Sequence, residues 1–416
     1  MMKMNKYLVL VVFILVCTVT RSQTEGLTSS PYSLYGIGTI NQSSIGRSNG
    51  MGYVGIGLKT KTEINNLNPA NFALIPQNSF FYDVGVTGEF NTFSNKASDE
   101  SKSTLNFSNL ALAFRITEGL GAGLSLTPYS DVGYTLVGLV SNIEGSEESF
   151  ESNVSGVGGL NDLAFNIGYG ITDALRLGIK GSVLFGNIEE SESFVLSNSN
   201  FELEKTTNYS GFRLGVGMHY DVTDNITLGS EVQFPVTLNA NLTRSVYKVL
   251  DAVDVVVEDE YTGDASDFKL PLELGFGMSM NIKNSLTLSA DFKRNIWDQV
   301  EQSDSSESYR NQDIYAFGLE YLQDQEGWKY WQRIRYRAGF NYDNGYLAIN
   351  DSKIDGYSLT LGLGLPMTRL SNSLINISYA YSQKGQVQNI LIQENYHALT
   401  INLSLEDLWF RKRKIN

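Results

Sequence analysis

An all-β chain that closes into a transmembrane antiparallel β-barrel of about 14 strands is predicted by three features of the sequence. From Ser79 onward, segment after segment alternates apolar residues with polar residues or glycine, the two-residue period of a strand. Short polar turns on one side of this series answer longer, acidic, serine-rich connections on the other, the asymmetry of bacterial barrels. After the first 22 residues no continuous apolar run reaches the roughly 20 residues that a spanning helix needs. A closed barrel is then the way left to cross lipid, because it leaves no backbone group unpaired there.

The chain opens MMKMNKYLVLVVFILVCTVTRSQ. Lys3 and Lys6 precede an apolar run from Tyr7 to Val19, and small residues lead to Gln23, so residues 1–22 read as a secretory signal peptide cleaved after Ser22. Cys17 is the only cysteine and leaves with that peptide, so the mature chain has no disulfide and no thiolate for zinc or catalysis. The remaining length shows no linker. It divides into a segment 23–78 of different character, a barrel 79–410 and a basic tail 411–416.

The turns count the strands. "RITEGLGAGLSL" (115–126), "GITDALRLGIKG" (170–181), "DVTDNITLGSEV" (221–232) and "NIKNSLTLSADF" (281–292) each end one alternating segment and begin the next. Two looser turns follow at 323–340 and 366–381. Six such hairpins, with one further strand before the first and one after the last, make 14, an even number as in single-chain bacterial barrels. The opposite connections include "SNKASDESKS", "EESESFVLSNSNFELEK" and "VEQSDSSESYRNQ", which are expected to be loops.

Alternation also sorts the faces. In "IYAFGLEY", Tyr315, Phe317, Leu319 and Tyr321 share the lipid side, and Ala316, Gly318 and Glu320 the lumen side. In "KLPLELGFGMSM", Leu270, Leu272, Leu274, Phe276 and Met278 are expected to oppose Lys269, Glu273, Gly275 and Gly277. By the same parity Arg213, Glu231, Glu273, Asp291, Lys293, Glu320, Arg333, Arg335 and Arg337 point inward. Charges at membrane depth are costly unless paired or wet. Two readings stand: a ladder of charges bracing a wide barrel, or a lining selective for an anionic ligand. Leu399, Ile401, Leu403 and Leu405 alternate with Thr400, Asn402 and Ser404, so the last strand faces lipid on one side and closes against the first, "SFFYDVGVTGEFNTF" (79–93). Trp409 and Phe410 then serve as an interfacial anchor, and Arg411 to Lys414 as a solvated tail.

"NNLNPANFALIPQ" (65–77) carries two prolines and no strand period, yet it is apolar enough to be ordered. The order "SSPYSLYGIG" (29–38), "IGRSNGMGYVGIG" (45–57), "INNLNPANF" (64–72), then a 14-strand pattern, resembles the FadL family of long-chain fatty-acid and hydrocarbon transporters of the outer membrane. The resemblance spans almost the whole mature chain. It implies that residues 23–78 form an N-terminal hatch (plug) in the lumen, with Asn68, Pro69 and Ala70 as the hatch motif. It also implies an outer-membrane location in a Gram-negative bacterium, contact with outer-membrane lipid and lipopolysaccharide, and a hydrophobic, fatty-acid-like small-molecule ligand.

The third strand bears on the mechanism. "LSLTPYSDVGYTL" (124–136) sets Pro128 and Gly133 inside an alternating segment, and proline removes a ladder hydrogen bond. In the family resembled, an inward kink here opens a lateral hole, which makes Pro128, Tyr129, Ser130 and Gly133 the lateral-gate candidates; a bulge that only relieves curvature is the alternative. One departure from the family is the acidic character of most loops. "RSVYKVLDAVDVVVEDEY" (244–261) alone offers an apolar face, expected as a short helix that either binds a ligand or partner or packs on its neighbours.

Other chemistries find little footing. His219 and His397 have no cysteine or histidine at ligand spacing, so neither a metal nor a cofactor is expected, and no Ser-His-Asp arrangement suggests an enzyme. Removing Lys3, Lys6 and Arg21 takes the net charge from -14 to -17, which repels nucleic acid. Two functions follow: passive uptake of hydrophobic or amphipathic small molecules with lateral exit at strand three, or a non-transporting barrel subunit that works with envelope protein partners in a secretion or assembly complex.

Overall fold

The computed structural model describes residues 30–96, 98–142, 149–196, 199–250, 253–300, 302, 308–349, 352–369, 371–388 and 391–408. The expected signal peptide 1–22, Trp409, Phe410 and the expected tail 411–416 lie outside the described residues. The wall is a closed antiparallel barrel of fourteen strands, labelled here β1 to β14. They are β1 (Ser79–Ser94), β2 (Asp99–Thr117), β3 (Leu120–Asn142), β4 (Ser149–Gly170), β5 (Leu175–Leu196) and β6 (Ser199–Thr223). β7 runs Ile226–Gln233 and, past Pro235, Val236–Leu250; β8 runs Val253–Asp264, Phe268–Leu270 and Leu272–Ile282. β9 (Leu286–Ile296), β10 (Gln312–Leu322), β11 (Arg335–Asp343), β12 (Gly356–Pro366), β13 (Leu374–Lys384) and β14 (Gln393–Leu408) complete the wall. β14 pairs with β1 from Ser79↔Leu408 to Ser94↔Gln393, so the sheet has no edge there.

Alternation places an apolar band outside. Phe212, Leu214, Val216 and Met218 on β6, Tyr315, Phe317, Leu319 and Tyr321 on β10 and Leu359, Leu361 and Leu363 on β12 are exposed on the outer face, while the residues between them are buried in the lumen. An apolar band outside a polar interior identifies a wall solvated by lipid.

Three expectations are corrected. In the acidic, serine-rich stretch 189–205, residues 189–196 and 199–205 are strand: β5 and β6 stay paired from Leu175↔Tyr220 to Leu196↔Ser199. At 22 and 25 residues they exceed the roughly 9–11 needed to cross lipid. The excess stands in water, where both faces can be polar, and this composition mimics a loop. Residues 244–250 and 253–261 pair as an antiparallel arm of β7 and β8, Val253↔Leu250 to Asp264↔Asn241, because β-branched valines favour the pleated ladder over a helix. Leu270 points inward and Lys269 outward, the reverse of the reading from period alone. The ladder changes partner at Pro271: Phe268–Leu270 pair with upper β7, Leu272–Ile282 with lower β7 and β9.

Residues 30–78 fill the lumen as short 3-10 turns, Pro31–Leu34, Ser48–Gly50 and Pro69–Leu74, joined by extended backbone. Where the plug runs along the wall, the two backbones touch. A Cβ on Gly229 would lie 1.9 Å from the Ile56 carbonyl oxygen, so a side chain there is excluded. Ile37 of the plug joins Val132, Leu160, Leu184, Leu238, Leu270 and Trp297 of the wall and its loops in an apolar cluster on the long-loop side of the barrel.

Candidate functional site: hatch, lumen charges and seam

Asn68 explains the hatch motif. Its Oδ1 accepts from the Ala70 N–H at 3.0 Å and caps the turn that Pro69 starts, while its Nδ2 donates to the carbonyls of Ile56, Met218 and Ser230. One side chain therefore shapes the turn and ties it to β6 and β7. Ala70 is fully buried and sits over Gly178, where no larger side chain has room.

The lumen charges fall into two groups. Arg337 on β11 donates to Glu320 on β10 at 2.7 Å and to Glu63 of the hatch at 3.1 Å; Arg335 donates to the same Glu63 at 2.9 Å. Arg47 of the hatch closes the network on Glu320 at 2.7 Å. On the other side Arg213 and Lys293 both hold Glu273, the former at 2.6 Å. Glu231 lines the adjoining cavity with Lys180, which pairs with Asp162 at 3.2 Å. Asp291 binds the hatch rather than another charge: it accepts the backbone N–H groups of Gly55, Ile56 and Gly57 at 2.6, 2.8 and 3.4 Å. Arg333 is the exception among the nine. It lies in the 3-10 turn Tyr330–Arg333 at the short-turn rim, stacked on Tyr330, because β11 begins only at Arg335.

Several partners were not evident in the sequence. Glu63 and Arg47 sit in a segment without period, so parity says nothing about where they point. Asp83, which accepts from Asn109, Asn402 and Ser404, did lie on the lumen parity of "SFFYDVGV" and could have been found. His219 contacts the Ile56 carbonyl through Nε2 at 2.9 Å, so it too serves the hatch; His397 contacts Tyr379 on the outer face.

At the third strand the wall parts. β2 pairs with β3 only from Thr117↔Leu120 to Leu110↔Leu126. Above that level residues 99–109 pair with β1 and residues 128–142 with β4, with a register shift between Pro128 and Ser130. The hatch takes the place of the missing neighbour. Thr39 and Ile40 pair with Asp131 and Ser130, Asn41 N–H donates to the Tyr129 carbonyl, and the Ser43 hydroxyl donates to that of Pro128. Ser30 N–H donates to the Gly133 carbonyl at 2.8 Å, and Gly133 N–H to Ser33 Oγ at 3.0 Å. All four residues singled out on this strand thus contact the hatch through their backbone. A cavity of about 320 Å³ reaches both sides of the parting, Asn106, Phe107 and Ser108 on β2 and Pro128 and Asp131 on β3.

One family model, BamG, matches residues 4–416. The chain belongs to the BamG family. No curated protein matches it. Among solved structures this BamG-family chain is similar to the CymD monoaromatic hydrocarbon channel, with a TM-score of 0.59 and 15% identity over 88% of this chain and 99% of that one. The Ralstonia pickettii toluene transporter TbuX has a TM-score of 0.56 and 16% identity over 87% and 98% of the two chains. A FadL homologue from Pseudomonas aeruginosa has 0.59 and 14% over 88% and 98%. At such identities the likeness is one of fold: a FadL-type barrel with fourteen strands.

Proposed function

We propose that this chain spans the outer membrane of a Gram-negative bacterium as a passive conduit for hydrophobic or amphipathic small molecules of the fatty-acid kind, which leave sideways into lipid between β2 and β3. The carrying observation is the parting of the wall above Leu110↔Leu126, with one cavity touching both of its sides. An apolar chain crossing a watery pore meets a cost of roughly 0.8 kcal/mol per CH₂, which a direct step into lipid avoids. Opening needs the hatch contacts of residues 30–43 to leave β3, while no wall strand has to separate there. CymD is a monoaromatic hydrocarbon channel and TbuX a toluene transporter, which supports hydrophobic cargo in general for this chain.

A second reading, a barrel subunit of an outer-membrane secretion or assembly complex, is favoured by the polar lining of the cavity, including Asn41, Gln42, Glu89, Asp131 and Asp343. The tall β7–β8 arm, with Val255, Val256 and Val257 exposed, fits the same reading. The test is equilibration of a medium-chain fatty acid across proteoliposomes, with Ser108→Trp placing bulk where the cavity meets the parting. Faster equilibration with the wild-type protein, lost in the variant, supports conduction. Equilibration no faster than in empty vesicles, together with stable co-purification of other envelope proteins, moves the assignment to the second reading.

A further inference from the structure

At the short-turn rim a separate cavity of about 150 Å³ lies between the turn after β10 and the turn after β12. Leu322, Pro366 and Leu374 from the strand ends form its walls, and three arginines converge on it: Arg333, Arg335 and Arg369. Thr368, Ser371 and Asn372 add hydroxyl and amide groups.

The pairing of these cations is uneven. Arg335 is held by Glu63 at 2.9 Å and Thr62 at 3.2 Å. Arg333 and Arg369 have no carboxylate within ion-pair distance among the described residues. Arg333 Nε is buried with no hydrogen-bond partner, and its guanidinium lies 5.5 Å from the Tyr330 ring. Arg369 lies 4.6 Å from the Trp328 ring and, among the described residues, donates only to the Glu326 carbonyl. Glu406, behind the cavity, is taken up by Asn372 and Ser79. In a chain of net charge -14, two arginines held without acids, with an orphaned donor in a recess, describe a site for an anion. Guanidinium forks match tetrahedral oxyanions in geometry as well as charge. The volume, room for about five waters at ~30 Å³ each, admits such an ion with part of its hydration.

We propose that this cavity binds a phosphate-type oxyanion through Arg333 and Arg369, with Arg335 shared between the ligand and Glu63 of the hatch. An anion there draws on the arginine that holds the plug, so occupancy and hatch seating are coupled. The group is either free phosphate from the aqueous side or the phosphate of an anionic lipid at the rim.

The probes are inorganic phosphate, read by tryptophan fluorescence of the detergent-solubilised full chain against chloride at equal ionic strength, and phosphatidylglycerol nanodiscs against phosphatidylcholine ones, read by native mass spectrometry. The Arg333→Gln/Arg369→Gln variant, checked for the heat-modifiable mobility of a folded barrel, should bind phosphate at least about tenfold more weakly, the loss of charge-assisted hydrogen bonds. Glu63→Ala, which frees Arg335, should bind it more tightly. Phosphate binding that needs both arginines, without selective lipid retention, assigns the site to the free anion; phosphatidylglycerol adducts that need both assign it to a headgroup. No saturable response to either probe, or an equal response from the double variant, overturns the proposal, and unchanged affinity in Glu63→Ala overturns the sharing of Arg335.

Discussion

Glu63→Ala should unseat the hatch while leaving the barrel standing. Glu63 is 5% exposed and accepts from Arg335 at 2.9 Å, Arg337 at 3.1 Å and Asn376 at 2.8 Å. Without it Arg335 has no carboxylate and Arg337 keeps only Glu320, with two guanidiniums on one face of β11 two residues apart. Removing one member of a buried ion pair costs about 3–5 kcal/mol, because the remaining charge stays desolvated. Water in the lumen relieves part of this, so the lower end, about 3 kcal/mol, is the working figure. At 1.4 kcal/mol per factor of ten, the unseated fraction should rise about 100-fold. The assay is tryptic cleavage at Lys59 and Lys61 within the hatch, under conditions where cleavage tracks the open population, alongside leak conductance in planar bilayers. Glu63→Gln keeps an acceptor for Asn376 and should fall between the two. Cleavage and conductance within about twofold of wild type in Glu63→Ala would refute the view that this carboxylate latches the plug.

Asp291→Ala should weaken hatch seating by about 2–3 kcal/mol, since it orphans the backbone donors of Gly55, Ile56 and Gly57; earlier tryptic cleavage at Lys59 during a urea series checks this. Gly229→Val should give a barrel of normal heat-modifiable mobility with a protease-sensitive hatch, because the new Cβ occupies the place of the Ile56 carbonyl. Deleting residues 26–76 should leave a folded barrel that leaks small polar solutes, and hydrogen exchange should rise most at 130–133, where the hatch supplies the missing backbone partner. Failure of that truncated chain to insert would make the hatch part of the folding core.

The strand number and the two faces were legible because they are local properties. A turn announces itself by a few polar residues, and a two-residue period repeated along "IYAFGLEY" places Tyr315, Phe317, Leu319 and Tyr321 on lipid without reference to any other strand. Where a local rule was interrupted the reading failed. Pro271 changes the pairing partner and turns Leu270 inward, and the turn Tyr330–Arg333 takes Arg333 off the strand that its spacing suggested. The β5–β6 hairpin looked like a loop because a strand standing in water needs no apolar face.

By itself the sequence determined that the chain is a lipid-solvated barrel preceded by a segment of another kind, and that "NPA" at 68–70 starts a turn in that segment. The tertiary structure alone decided what holds the segment in place and where the ladder between β2 and β3 ends. Glu63 meets Arg337 across 274 residues of chain, and Thr39 meets Asp131 across a gap that exists only because β3 leaves β2 at Leu126. Such contacts follow from barrel closure and strand register, which sum the geometry of all fourteen strands, and no short stretch of residues carries that sum.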